Sequence, residues 1–134
     1  MTIFKMVILV NGEEKVYFPK SEEVRNRNIE AAKAKGYKVI KNKKLYPIGN
    51  FNKYQHVFYN EVDRAWNRIY DIEEGKSNED MDEAYEWLEK CQEAQGKFDF
   101  GPQDVNGVVY VEYEDYKFMK DVIGGYAYRH GGIV

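Results

Sequence analysis

Phe51, Tyr54, Phe58, Val62, Ala65, Ile69 and Ile72 recur at steps of three and four residues through FNKYQHVFYNEVDRAWNRIYDIE. That spacing places them on one face of a single helix over Phe51–Glu73. Tyr59, Trp66 and Tyr70 form a second apolar stripe beside the first, and His56, Asn60, Asp63, Asn67 and Asp71 make up the polar face, with Arg64 and Arg68 along its margin. A helix apolar over more than half its circumference must be covered on two sides. Burying about ten large side chains of this helix gains on the order of 15–25 kcal/mol. Ordering its residues costs ~1–2 kcal/mol each. The helix therefore needs a sheet, a partner helix or a second subunit.

The other elements follow from local signals. Ile3 to Val10 is almost continuously apolar, as expected of a strand central in its sheet. Asn11-Gly12 then demands a tight hairpin, with Lys15 to Phe18 as the return strand and Pro19 as its stop. Ser21 caps a helix that ends near Lys35 at Gly36, and Tyr37 to Tyr46 reads as a strand broken by Pro47 to Asn50, with Asn50 as the cap of the long helix. Beyond the long helix, Ser77 is expected to cap a third helix that stops at Gly96. Asp104 to Tyr113 reads as mostly strand, with Phe98 to Phe100 as a short hairpin partner through Asn106-Gly107. Gly124-Gly125 should break any helical turn before a last strand from Tyr126 to Tyr128.

The expectation is one α+β domain over 1–134: a small antiparallel sheet of four to five strands and three helices, with the long central helix packed on the sheet. A chain of 134 residues fits one domain, and its hydrophobic fraction of 43% is that of a globular protein. No apolar run approaches the ~20 residues of a membrane span. The apolar N-terminus lacks both a basic segment and a small-residue cleavage site, so a signal peptide is not expected. A single cysteine, Cys91, suits a reducing cytoplasm.

Catalytic chemistry is hard to assemble from this inventory. Two histidines, His56 and His130, and one cysteine do not supply a zinc ligand set, so no metal or cofactor is expected. Cys91 falls on the apolar stripe of the third helix, a place that hides a thiol and raises its pKa. Asp99-Phe100-Gly101 matches the kinase magnesium triplet, but no glycine-rich loop or catalytic loop accompanies it. The paired glycines match no phosphate-binding fingerprint. The chain reads as no enzyme.

Three features point to binding. Charge is lopsided: residues 1–60 hold 12 Lys/Arg and 5 Asp/Glu, whereas 61–134 hold 8 and 18. Within the basic half, Arg25, Arg27, Lys41 and Lys43 could contact phosphate. In the tail, Tyr126 and Tyr128 would share a strand face beside Arg129 and His130, an arrangement able to stack a base and hold a phosphate. An ordinary edge strand explains the same residues. The third feature is aromatic content of 16%, with 12 tyrosines, a composition suited to wet interfaces as well as cores. Tyr59, Trp66 and Tyr70 are the expected contact of a homo-oligomer.

The Lys-, Glu-, Asn- and Tyr-rich style of the whole chain is similar to that of small accessory proteins of bacteriophages and mobile elements, a likeness that transfers no residue roles. Missing catalytic groups, excess tyrosine and segregated charge point to a non-enzymatic binding protein acting by protein–protein contact, and together with this likeness to a cytoplasmic inhibitor of a host defence factor. The alternatives are a sponge for a nucleotide-derived signal and a single-stranded nucleic-acid-binding protein.

Overall fold

A computed structural model describes residues 3–133 and has the element order β1(Ile3–Val10), β2(Glu13–Tyr17), α1(Glu22–Ala34), β3(Lys38–Asn50), α2(Phe51–Glu73), α3(Met81–Asp99), β4(Val108–Val111) and α4(Tyr113–His130). The class is α+β, with antiparallel pairing and strand order β2-β1-β3-β4. Contacts divide the chain into two compact units, one up to Pro47 and one from Ile48 onward.

The first unit is a β1–β2 hairpin flanked by β3 and covered by α1. Asn11 and Gly12 take φ of 53° and 83°, the left-handed pair that a type I′ turn requires. That turn sets the register, from Val10 opposite Glu13 to Met6 opposite Tyr17. β1 is indeed central, with Met6, Ile3 and Ile8 buried. Its Met6 and Ile8 pack against Ala32 of α1, with Ile29, Tyr37 and Val39 around them. Ser21 Oγ accepts the Val24 amide at 3.2 Å and starts α1 where the sequence indicates. β3 differs from expectation, because it continues through Pro47 to Asn50. Registered pairing with β1 ends at Leu45 opposite Ile3, so the missing proline N–H removes no rung of that ladder.

The second unit is largely helical. Asn50 caps α2, its Oδ1 accepting the Lys53 amide, and the bounds Phe51–Glu73 agree with the periodicity. The expected packing of α2 on the sheet holds only at β3 and β4, through Ile48, Val109 and Val111, and helices cover the rest of its apolar face. Its apolar face meets α3, α4 and β4, with Val57 and Phe58 in one cluster with Ala94, Phe98, Val109, Met119 and Val122. Ala65 and Ile69 join Ala84, Leu88 and Cys91 in another.

Four further corrections concern α3, β4 and α4. Asp80, not Ser77, caps α3, because its Oδ1 takes both the Asp82 and Glu83 amides, while Ser77 Oγ takes the Glu79 amide in the preceding turn. α3 runs through Gly96 to Asp99, which turns Phe98 into the core rather than into a strand. Burial of Phe98 against Phe58 and Phe51 outweighs the cost of one helical glycine, about 1 kcal/mol. The expected hairpin of β4 shrinks to a bridge between Gln103 and Val109. Finally, Tyr113–His130 is one helix passing through Gly124-Gly125, making four helices rather than three. Met119 and Val122 before the glycines are buried on its inner face, and Tyr126 beyond them packs against the same cluster, which holds the glycines helical.

Candidate functional site at the α2–α4 seam

Glu61 stands in the apolar stripe of α2, between Phe58 and Ala65, and is only 6% exposed. A carboxylate there must be paired. Arg129 of α4 supplies the pair, its Nη2 lying 3.0 Å from Glu61 Oε2. Arg64, one turn along α2, donates from Nη1 at 3.3 and 3.4 Å to the two carboxylate oxygens. Arg129 reaches Glu61 by lying over Gly125, where a Cβ would come 3.1 Å from its Nη1. Gly125, one of the pair expected to break the helix, thus gives the arginine room.

Beside this fork the rings stack. Tyr126 meets His56 edge-on at 5.3 Å and lies against His130 at 4.0 Å and 21°. His130 Nδ1 is 3.0 Å from the Tyr126 carbonyl oxygen, a contact within α4. His56 Nε2 and Asn60 Oδ1 are buried atoms without a hydrogen-bond partner among the described residues. The polar flank of α2 is therefore a helix contact at its first half rather than a solvated surface.

Further along the same flank α4 no longer covers α2, and an open groove of about 420 Å³ remains. Glu61, Arg64, Asn67 and Arg68 line it from α2, and Trp87 from α3. Arg68 Nε donates to Glu79 Oε2 at 2.9 Å, which fixes one side of its guanidinium. Trp87 is held edge-on against Phe118 of α4 at 5.4 Å. Charge-bearing planar groups and a fixed indole share one concave surface.

The tail residues divide. Tyr126, Arg129 and His130 come together at the seam, but two residues along a helix turn the chain by ~200°. Tyr128 consequently points away and is 91% exposed. The basic residues are not brought into one patch. Arg25 of α1 lies over the Phe4 ring at 4.4 Å and contacts Glu22, and Arg27 is exposed on α1. Lys41 and Lys43 pair with Val7 and Lys5, which puts them on the sheet face opposite Phe4. Of the aromatic stripe, Trp66 is half-buried against the α2–α3 cluster and stacks with Tyr70 at 6.0 Å. Tyr59 donates its hydroxyl to Asp99 Oδ2 at 3.0 Å. The longer α3 thus covers part of a stripe expected to be uncovered, while Tyr59 and Tyr70 remain 42% and 50% exposed.

Cys91 is buried, and desolvation, reinforced by the Glu61 carboxylate, pushes its thiol up to about 12. Such a thiol does not supply thiolate at neutral pH. Among the described residues no group of three or more His, Cys, Asp or Glu is placed to hold a metal, and no helix is long and apolar enough to cross a membrane.

Sequence reasoning passed over Glu61, Arg68 and Trp87. The signal for Glu61 was present: an acidic residue inside an apolar stripe requires a buried partner. Nothing local identifies Arg129 as that partner, because the pattern of the tail is that of a strand. No family model matches the chain, and no curated protein or solved structure shows significant similarity to it.

Proposed function

We propose that the chain is a non-enzymatic binding protein whose working surface is the α2–α3 groove, and that its partner is a protein. The observation carrying this reading is the placement of Arg64, Arg68 and Trp87 in one open concave surface. Arginine, tryptophan and tyrosine are the residue types that dominate binding energy at protein interfaces. A sponge for a small molecule is less well supported, since such sites enclose most of the ligand in a largely apolar cavity. Nucleic acid is also less well supported, because the unit from Ile48 onward carries 18 Asp/Glu against 9 Lys/Arg. The composition suits a host factor as the target, and Tyr59 and Tyr70 are where a second copy of the chain would pack.

Affinity capture from native cells with wild type, Arg68→Glu and Trp87→Ala tests the reading. A protein retained by wild type and lost with both variants supports it. Equal retention by all three, or capture of nucleotides or nucleic acid alone, counts against it.

A further inference from the structure

β2(Glu13–Tyr17) is the outer strand of the sheet, exposed along its whole length, and among the described residues it pairs only with β1. In a hairpin closed by a two-residue turn, the residues flanking the turn form a hydrogen-bonded pair, and such pairs alternate. Glu13, Lys15 and Tyr17 therefore turn their amides to β1. Glu14 and Val16 turn theirs outward, free to meet another strand. Natural edges are commonly blunted by charge or proline. Here Glu13, Glu14 and Lys15 do so at one end only, while Val16, Tyr17 and Phe18 are 49%, 45% and 41% exposed at the other.

A groove of about 200 Å³ opens beside this edge, between β1 and β2 below and α1 above. Ile8, Val10 and Tyr17 form its floor, and Ala31, Lys35 and Tyr37 its far wall. Ile8 and Tyr17 stand on the α1 side of the sheet by register. The volume is below that of ordinary small-molecule sites, ~300–1,000 Å³. It fits the side chain of a neighbouring strand. A strand added ~4.8 Å beyond β2 would send alternate side chains toward this groove. Residues up to Pro47 carry 11 Lys/Arg and 5 Asp/Glu, and Lys35 lies in the groove itself. Lys5, Lys41 and Lys43 share the opposite face of the sheet.

We infer that the β2 edge and the groove beneath α1 form an acceptor site for an extended acidic peptide segment of a partner protein. Main-chain bonds to Glu14 and Val16 hold the segment, an apolar side chain fills the groove, and acidic residues meet the basic unit. The position opposite Glu14 takes an uncharged residue. The site is separate from the α2–α3 groove, so the failure of one reading leaves the other standing.

Fluorescence anisotropy with a labelled peptide of alternating valine and glutamate, its central glutamate replaced by serine to lie opposite Glu14, tests the inference on the full chain. Wild type is expected to bind, and the same peptide with lysine for glutamate to bind at least about tenfold more weakly. Val16→Pro removes an outward donor while sparing the β1 ladder, and Ala31→Phe fills the groove; each should weaken binding at least about tenfold. Tyr128→Ser should bind as wild type. Absence of wild-type binding, equal affinity for the lysine peptide, or undiminished binding by the Ala31→Phe chain overturns the inference. So does a dimer that Val16→Pro dissociates, which would make a second copy the occupant of the edge.

Discussion

Arg129 Nη2 and Glu61 Oε2 lie 3.0 Å apart across 68 positions of sequence, and this contact ties the end of α4 to the middle of α2. Removing the partner of a buried carboxylate costs more than the pair itself contributes, because the Glu61 charge stays desolvated. Arg64 still faces Glu61 when Arg129 is replaced, so the loss is softened. Arg129→Met should lower unfolding free energy by ~1–3 kcal/mol and Arg64→Met by ~0.5 kcal/mol, as the latter side chain is half exposed. Urea denaturation of the two variants measures both.

Gly124 and Gly125 sit in the same helix but answer differently to a methyl group. Nothing lies within 4 Å of a Cβ at Gly124, so Gly124→Ala should stabilise the chain by ~0.5–1 kcal/mol through helix propensity. At Gly125 the new Cβ meets the Arg129 guanidinium at 3.1 Å. Gly125→Ala should therefore stabilise less than Gly124→Ala, with the difference disappearing in the Arg129→Met background. Thermal melts of the four chains decide the point.

Cys91 offers a pH test. Its thiol is raised to about 12 by burial first and by Glu61 second, against ~8.5 in an unfolded chain. Above pH 9 the unfolded chain gives up this proton while the folded one keeps it, so stability falls as pH rises from about 9 towards 12. Cys91→Ala should flatten that segment of the stability profile, at the cost of a small cavity. Under native conditions at pH 8 the thiol should react with a disulfide reagent only as fast as the helices open.

The loop before β4 is organised by Asp104. Burial opposes its charge, but the amides of Val108 and Asn106, with the Tyr110 hydroxyl, hold its carboxyl below the ordinary range. The same loop receives the Asn50 side chain at the Asn106 carbonyl and the Phe51 amide at Gly107, and so seats the start of α2. A depressed carboxylate contributes stability that is present above its unfolded pKa, ~3.9, and lost as pH falls through the folded value. Asp104→Ala should lower the melting temperature at neutral pH, and the gap should narrow below pH 4. Melts from pH 7 to pH 2 check the sign.

Local chemistry made much of this fold readable. The Asn11-Gly12 turn, the Ser21 and Asn50 caps and the α2 periodicity each act within a few residues, and each appears where the sequence puts it. Where tertiary burial overrode a local signal, reading failed. Gly96 and Gly124-Gly125 look like helix ends, yet Phe98 and Tyr126 beyond them pack on the core and carry their helices past them. The seam was lost for the same reason. Tyr126, Arg129 and His130 stand out in the sequence as a group, but a strand pairs Tyr126 with Tyr128, whereas the helix pairs it with His130. Glu61 gained its meaning only once α4 existed to bring Arg129 to it.

The proposed function places a protein partner on the α2–α3 groove, and site-specific photo-crosslinking addresses that placement directly. A benzophenone side chain would replace Asn67, on the groove, or Tyr128, on the outer face of α4. The account predicts a protein adduct formed in native cells from position 67, absent from position 128 and abolished by Arg68→Glu. Adducts of equal yield from both positions, or none from position 67, would contradict it.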